Sequence, residues 1–126
     1  MISYLDTNVI LLLHRVALKS ITKRAKQAID RSELLISPMV MLELTYLHEI
    51  GRQPDPADAI FDDLYQSIDL RVCPLPYDRI VRLAAREAWT RDVFDRLIVS
   101  HAKAAGNAPL ISSDEVIASH YPNTIW

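Results

Sequence analysis

The stretch that decides the fold is residues 2–9, ISYLDTNV, in which a predicted strand runs directly into three polar side chains. Ile2–Leu5 has the composition of a buried strand, and a second apolar run extends from Val9 to Leu13. Asp6, Thr7 and Asn8 lie between the two. Burial of a carboxylate is costly unless its charge has a partner. We therefore expect Asp6 to have a specific electrostatic or functional role.

Outward from this strand, the sequence alternates between strand and helix patterns. The predicted strands are Ile2–Leu5, Leu34–Ser37, Leu70–Cys73, Pro109–Ile111 and Thr124–Trp126. The predicted helices are Val9–His14, Leu18–Arg31, Pro38–Ile50, Pro56–Ser67, Tyr77–Trp89, Val93–Ala105 and Asp114–Ser119. This alternation is typical of a three-layer α/β/α sandwich, in which helices cover both faces of a central parallel sheet. Functional groups in that architecture collect beyond the carboxyl ends of strands, where Asp6 and Asp114 both lie.

Length and composition favour a single domain that spans residues 1–126. Half of the residues are hydrophobic and 24% are charged, which is typical of a soluble globular protein. The apolar run from Val9 to Leu13 is too short to span a membrane, and residues 1–20 show no secretory signal. We therefore expect a cytoplasmic protein with no membrane partner. Cys73 is the single cysteine, which excludes an internal disulfide and favours a small buried side chain over a reactive thiol.

Several kinds of active site are excluded by what the sequence lacks. Its two glycines, Gly51 and Gly106, are too few and too far apart for a glycine-rich phosphate loop or a GxSxG serine elbow. The four histidines show no HxH or HExxH spacing that would pair them on zinc. His101 is expected to be solvated or hydrogen-bonded.

The charged residues are distributed unevenly, although the net charge is only −2. Residues 53–70 contain five aspartates and no lysine or arginine. Cations instead gather at Arg15, Lys19, Lys23, Arg24 and Lys26, and on one predicted helix face at Arg79, Arg82 and Arg86. These groups are either solvated faces or a rim that binds phosphate.

Glu43 stands among apolar residues on the predicted helix Pro38–Ile50. Its neighbours three and four positions away are Met39, Val40, Tyr46 and Leu47. A carboxylate on such a face is either half of a structural salt bridge or a functional group.

Asp95 occupies a similar position on the predicted helix Val93–Ala105. Ile98, Val99 and Ala102 lie three, four and seven residues after it, as on a face that packs against the core. Asp92 has a simpler explanation, because an aspartate before Val93 is a good N-cap, with contact to a metal as the alternative.

Asp114 also has a structural alternative, since Ser112 and Glu115 fit a capping box around it. Together, however, two acids at strand ends and two on core-facing helices can meet at the top of one parallel sheet. Unit charges ~4 Å apart repel by roughly 4 kcal/mol at an effective dielectric constant near 20. Clustered carboxylates therefore need protons or a cation, and a set of oxygen ligands suits Mg²⁺ or Mn²⁺ better than zinc.

The order of YLDTNVI, MLEL, RDVFDRLIVSHA, LISSD and a terminal IW resembles the PIN-domain ribonucleases, and most of all the VapC toxins of bacterial toxin–antitoxin pairs. The resemblance implies that the catalytic, metal-binding quartet is Asp6, Glu43, Asp95 and Asp114. It makes Thr7, Asn8 and Ser112 the polar residues that orient these acids. Asp92 is a further candidate for the metal shell, and Val93 replaces the proline that is usual at this point of the motif.

The same resemblance implies a Mg²⁺- or Mn²⁺-dependent endoribonuclease. A water activated by the metal would attack the phosphodiester and leave a 5′-phosphate and a 3′-hydroxyl. The implied partners are the RNA substrate, a second copy in a homodimer, and a cognate antitoxin whose C-terminal tail fills the site. Arg15 and Arg96 are candidates for phosphate contact, and Arg96 could equally be a surface residue or brace an acid. The apolar runs 39–42 and 9–13 are either walls of the antitoxin groove or part of the core.

Three other functions match parts of this pattern. A Mg²⁺-dependent phosphatase of the haloacid-dehalogenase type needs a second aspartate two residues after the first, where this chain has Asn8. A receiver domain has its phosphoacceptor on a mid-chain strand rather than at residue 6. A PIN-like module that only binds RNA or a partner has no reason to keep four mutually repelling acids.

Overall fold

The computed structural model describes residues 1–126 and has at its centre a sheet of five parallel strands. The strands are β1 (Ile2–Leu5), β2 (Glu33–Ile36), β3 (Arg71–Val72), β4 (Leu110–Ile111) and β5 (Thr124–Ile125). Their order in the sheet is β3-β2-β1-β4-β5. In the register of the central strand, Tyr4 pairs with Leu35 on one side and with Leu110 on the other. The predicted parallel sheet is confirmed.

Seven helices surround the sheet, which gives the predicted three-layer α/β/α sandwich. They are α1 (Thr7–His14), α2 (Lys23–Arg31), α3 (Pro38–Glu49), α4 (Ala57–Ile68), α5 (Tyr77–Ala84), α6 (Val93–Ala104) and α7 (Glu115–His120). None of them combines the length and the apolarity that a membrane-spanning helix requires.

Three of the predicted helices are wrong in extent by two residues or more. Helix α1 begins at Thr7 rather than Val9, because Asp6 is its N-cap. The segment predicted as a helix from Leu18 to Arg31 begins with a 3₁₀ turn, and α2 starts only after Thr22, whose hydroxyl accepts a hydrogen bond from the amide of Ala25 at 3.1 Å. Helix α5 ends at Ala84 rather than at Trp89. Residues 85–92 leave the helix because their side chains make tertiary contacts with α6 and α7, which helical periodicity does not reveal.

Strand β1 lies at the point where the chain reverses its direction across the sheet. From β1 the chain moves to β2 and β3 on one side, then crosses to β4 and β5 on the other. The connections after β1 and β4 therefore diverge, and a crevice opens beyond the carboxyl ends of these two strands. Asp6 directly follows β1, and Ser112 directly follows β4.

The core beneath this crevice is apolar and continuous. A single cluster of 26 buried hydrophobic residues joins the sheet to its helices, and the side chains of Leu5, Ile36, Leu110 and Ile111 are completely buried in it. The run from Val9 to Leu11 and the side chain of Val40 also belong to the cluster. Residues 9–11 of the apolar run 9–13, and Val40 of the run 39–42, are therefore part of the core.

Val16 is strained, because this β-branched residue has a φ of 55°, in the left-handed region that favours glycine. Its side chain is 72% exposed and gains little from packing. Val16→Gly is therefore expected to stabilise the fold by about 0.5–1 kcal/mol, after allowing for the greater flexibility of glycine in the unfolded chain. Urea unfolding measures the effect. The control is Val116→Gly, at an exposed position in the regular helix α7, which should be destabilising.

His14 links α1 to the acidic segment around α4. Its Nδ1 lies 2.7 Å from Asp63 Oδ2 and its Nε2 lies 2.7 Å from Asp55 Oδ2. When both ring nitrogens donate, the ring is an imidazolium, and the hydrogen bond to Asp55 is the main cause that raises the pKa of His14 above 6.5.

The stability that this link contributes should depend on pH. A group whose pKa is raised on folding contributes fully below its unfolded pKa, here 6.5, and its contribution is lost as the pH rises through the folded pKa. The difference in unfolding free energy between wild type and His14→Gln should thus be largest near pH 6 and shrink toward pH 9. A difference that stays constant in urea titrations over this range would contradict the imidazolium assignment.

Candidate metal centre

The crevice beyond β1 and β4 contains a cavity of about 240 Å³, here called the carboxylate pocket. Its lining residues are Asp6, Thr7, Asn8, Leu11, Glu43, Leu47, Asp92, Asp95 and Asp114. All five acids singled out in the sequence lie in this one pocket, and no lysine, arginine or histidine lines it. The pocket is therefore strongly anionic.

Asp6 is the most enclosed of the five acids, with 6% of its surface exposed. The hydroxyl of Ser112 donates to Oδ2 at 2.6 Å, and the amide of Thr7 donates to Oδ1 at 2.8 Å. Burial raises the pKa of Asp6 above its ordinary value, while these two hydrogen bonds oppose the shift. Ser112 therefore supports Asp6 in the ionised form, as its predicted polar role implies.

Glu43 reaches the pocket from the middle of α3. The hydroxyl of Thr7 donates to its Oε1, so Thr7 contacts Asp6 through its amide and Glu43 through its side chain. Burial raises the pKa of Glu43 to about 7, and the negative charges of Asp6 and Asp92 add to the shift. No lysine or arginine pairs with Glu43, so the alternative of a structural salt bridge is not observed.

Asp95 lies in the first turn of α6, and its carboxylate accepts no hydrogen bond from another side chain or from the backbone. Burial raises the pKa of Asp95 to about 7, and four carboxylates, with Asp92 the strongest, add to the shift. Glu43 and Asp95 are thus close to half-protonated at neutral pH. Full ionisation of the carboxylates in the pocket is therefore unfavourable without a compensating cation.

Asp92 and Asp114 are both N-caps. Oδ1 of Asp92 accepts from the amides of Phe94 and Asp95 at 2.9 and 3.2 Å, which confirms the predicted cap. Oδ1 of Asp114 accepts from the amides of Val116 and Ile117 at 2.8 and 3.1 Å. The helix predicted from Asp114 therefore begins at Glu115, and the capping box from Ser112 is wrong because Asp114 is the N-cap. The hydroxyl of Ser112 donates to Asp6 and accepts from the amide of Asp114 at 3.1 Å instead.

Asn8 has a different role from that of Thr7 and Ser112. Its amide donates to the hydroxyl of Ser113 at 2.8 Å and so ties the start of α1 to the segment after β4. Ser113 was not predicted as a functional residue, although it directly precedes Asp114. Leu11 belongs to the apolar run 9–13, predicted as either groove wall or core, and Leu47 was predicted only as an apolar neighbour of Glu43. The two leucines share helical faces with pocket residues, but the same spacing is found throughout the core.

The donor set fits a hard divalent cation, although the side chains do not form a closed ligand shell. No three histidine, cysteine, aspartate or glutamate side chains lie close enough together to enclose a metal ion. In this arrangement Asp92 and Asp114 cap helices, while Asp6 and Glu43 accept hydrogen bonds from hydroxyls. An all-oxygen set with raised carboxyl pKa values is nevertheless the chemistry that suits Mg²⁺ or Mn²⁺.

The two arginines proposed to contact RNA lie outside the carboxylate pocket. Nε of Arg96 donates to the carbonyl of Thr90 at 2.8 Å, as a bracing residue would. Arg15 is exposed just after α1. Arg79 and Arg82 are exposed on α5, whereas Arg86, predicted to continue the same helix face, is exposed in the turn after the helix ends at Ala84. Contact of any of them with RNA remains a prediction.

Two further side chains considered in the sequence, Cys73 and His101, are both buried. Cys73 is buried, as predicted, and accepts a hydrogen bond from the hydroxyl of Tyr4 at 2.9 Å. His101 is not solvated: its ring is fully buried, Nδ1 lies 2.9 Å from the carbonyl of Leu97, and Nε2 has no partner. Burial lowers the pKa of His101 below its ordinary value.

The family of the chain follows from comparison of its sequence. The sequence profile described as PIN domain matches residues 3–121, a range that includes all five acids of the pocket. The chain belongs to the PIN domain family. The resemblance found in the sequence motifs is thereby confirmed at the level of the family. No curated protein matches the sequence of this PIN domain.

The fold of this PIN domain is shared with solved structures. One similar chain belongs to the crystal structure of VapBC2 from Rickettsia felis bound to a DNA fragment from their promoter. The two chains are 22% identical, and the match covers 98% of this PIN domain and 96% of the other chain with a TM-score of 0.67. At this identity the likeness establishes the fold.

Proposed function

We propose that this PIN domain is a metal-dependent endoribonuclease and the toxin of a toxin–antitoxin pair of the VapBC type. The observation that carries the proposal is the pocket of five carboxylates, without any cationic side chain, at the reversal point of the sheet. Two of these carboxyls have a pKa raised to about 7. A divalent cation bound in the pocket would offset this negative charge and could take part in cleavage of a phosphodiester.

Each polar residue that lines the pocket has a part in this function. Asp6, Glu43, Asp95 and Asp114 would hold Mg²⁺ or Mn²⁺ through their carboxylates, and Asp92 is a further candidate ligand. When bound, the cation would supply positive charge for the scissile phosphate and lower the pKa of a water nucleophile. Ser112 and Thr7 orient Asp6 and Glu43 through their hydroxyls. Asn8 keeps the Ser113–Asp114 turn close to α1.

The proposed substrate is RNA, because the sequence motifs resemble those of ribonucleases and exposed arginines can hold its backbone. Arg15 and the α5 arginines are the main candidates for phosphate contact. Binding through phosphates weakens with salt, so the apparent KM for RNA is expected to rise between 50 and 200 mM salt as counterion release dictates (about 10-fold or more for several contacts).

The proposed protein partners are a cognate antitoxin and a second copy of the chain. The structure leaves an apolar stripe exposed along α3 and its C-cap residue, on the helix that carries the pocket residues Glu43 and Leu47. The stripe is formed by Leu42, Tyr46 and Ile50 at 54%, 49% and 46% exposure. Exposed apolar patches are typical of protein interfaces. The stripe is available to either partner. The VapBC2 relative is itself named as a complex.

Cleavage of a panel of structured RNAs by the purified, antitoxin-free protein tests the enzyme proposal. We expect endonucleolytic products that end in a 5′-phosphate and a 3′-hydroxyl with Mg²⁺ or Mn²⁺, and no products with EDTA. Cleavage that persists in EDTA contradicts metal dependence. Tight RNA binding without cleavage of any RNA favours the binding module, and release of phosphate from small monoesters instead favours the phosphatase. Growth arrest on expression that a neighbouring small gene product relieves supports the assignment as a toxin.

A further inference from the structure

The connection between α5 and α6, residues 85–92, is fastened to the protein by a buried acid. Glu87 is only 6% exposed. It accepts a hydrogen bond from the indole Nε1 of Trp89 at 2.6 Å and forms an ion pair with Lys103 in the last turn of α6. Because the carboxylate is buried with both a cation and a donor, it anchors the connection firmly.

A second set of contacts holds the end of the connection against the start of α6. Nε of Arg96 donates to the carbonyl of Thr90, and the hydroxyl of Thr90 accepts from the amide of Asp92 at 3.1 Å. Arg96 and Lys103 are seven residues apart and thus share one face of α6. The connection therefore lies along that face, from Lys103 back to Asp92.

Trp89 extends this attachment to the neighbouring helix. Its ring stacks on the imidazole of His120, with the centroids 4.8 Å apart and the planes inclined by 11°. His120 is the last residue of α7, and Asp114 caps the first turn of the same short helix. One side chain therefore connects the segment that ends at Asp92 to the helix that begins after Asp114.

We propose that Glu87 and Trp89 are positioning residues of the carboxylate pocket, which hold Asp92 and Asp95 in place relative to Asp114 and so set the affinity of the pocket for a divalent cation. The physical reason is that five neighbouring carboxylates repel one another, and a connection without regular structure would let α6 and α7 move apart. When the spacing of the acids is already fixed, less conformational entropy is lost as they order around a cation. The inference rests on the proposed function for the identity of the ligand.

The test is the dissociation constant of Mn²⁺ alone, measured by calorimetry on the full chain without RNA. Trp89→Ala is expected to weaken Mn²⁺ binding by about 10-fold or more, in the range seen when residues that support metal ligands are removed. Trp89→Phe, which keeps a ring to stack on His120 but loses the donor to Glu87, should recover part of the affinity. Ile60→Val, a buried change on α4 away from the pocket, is the control for general destabilisation and should bind as wild type does.

Glu87→Gln keeps an acceptor for Trp89 and removes the charge next to Lys103, so it provides a second test if Trp89→Ala does not fold. Its Mn²⁺ affinity should fall by about 3-fold or more. In RNA cleavage, each folded variant should lose kcat at limiting Mn²⁺ with KM for RNA unchanged, and recover kcat at saturating Mn²⁺. A purely structural role would lower the unfolding temperature without these effects.

The outcomes separate this inference from the proposed function. If wild type binds Mn²⁺ and Asp95→Asn does not, but Trp89→Phe and Glu87→Gln bind as tightly as wild type, the positioning role is overturned and the metal site stands. If wild type binds no Mn²⁺, both are overturned.

Discussion

Replacing Asp6 by asparagine is expected to lower the rate of RNA cleavage by about 100-fold or more. Loss of a group that stabilises charge in the transition state typically has an effect of this size. The asparagine side chain keeps an oxygen that can accept from the amide of Thr7, so the cap of α1 survives the change. It lacks the negative charge that the hydroxyl of Ser112 supports and that a cation requires.

The matched control for this variant is Asp62→Asn, which neutralises an exposed aspartate on α4 outside the pocket. Its cleavage rate should equal that of wild type under the same Mg²⁺ or Mn²⁺ concentration. Comparable rates for wild type and Asp6→Asn, with both proteins folded by circular dichroism, would remove Asp6 from the catalytic set.

Replacing Asp95 by asparagine is expected to stabilise the protein in EDTA. Because the pKa of Asp95 is raised from 3.8 to about 7, the folded state binds the proton more tightly than the unfolded state does. The folded state therefore loses stability as the pH rises from about 3.8 to about 7, and asparagine avoids this loss. Since Asp95 is partly exposed, we expect a gain on the order of 1 kcal/mol at pH 8, a few degrees in unfolding temperature, that disappears near pH 4.

When Mn²⁺ is added, wild type should become more stable than the Asp95→Asn variant, the reverse of the order expected in EDTA. Binding at 100 times the dissociation constant stabilises a folded protein by about 2.7 kcal/mol, and the Asp95→Asn variant should not receive this gain. Thermal unfolding of both proteins, with EDTA and with Mn²⁺, measures the two effects in one experiment. A variant that is less stable than wild type in EDTA would show that Asp95 stabilises the apo fold, contrary to the repulsion inferred from the pocket.

Most residues that line the carboxylate pocket could be identified from the sequence because its signals are local. Asp6 follows an apolar strand, and Glu43 and Asp95 interrupt apolar helical faces, so each acid could be recognised from its nearest neighbours. The alternation of strands and helices then placed these positions at one edge of a parallel sheet. Neither step required knowledge of long-range contacts.

The parts that were predicted wrongly depend on contacts between distant residues. Helix α5 ends at Ala84 because Glu87 and Trp89 bind Lys103 and His120, which are 16 and 31 positions further on. Similarly, Ser112 could cap a helix or support Asp6, and only the pairing of β1 with β4 decides between them. Arg96 could not be assigned to a brace before the path of residues 85–92 was known.

The divalent-cation site itself is tested most directly by calorimetric titration of the wild-type protein with Mn²⁺ at pH 6 and pH 8.5, in buffers of different ionisation enthalpy, which counts the protons released. Since Glu43 and Asp95 both have a pKa of about 7, they are largely protonated at pH 6 and ionised at pH 8.5. Binding in the carboxylate pocket should release roughly one to two protons per Mn²⁺ at pH 6 and almost none at pH 8.5. The absence of binding at both pH values, or binding at pH 6 without proton release, would contradict a metal site built on these acids.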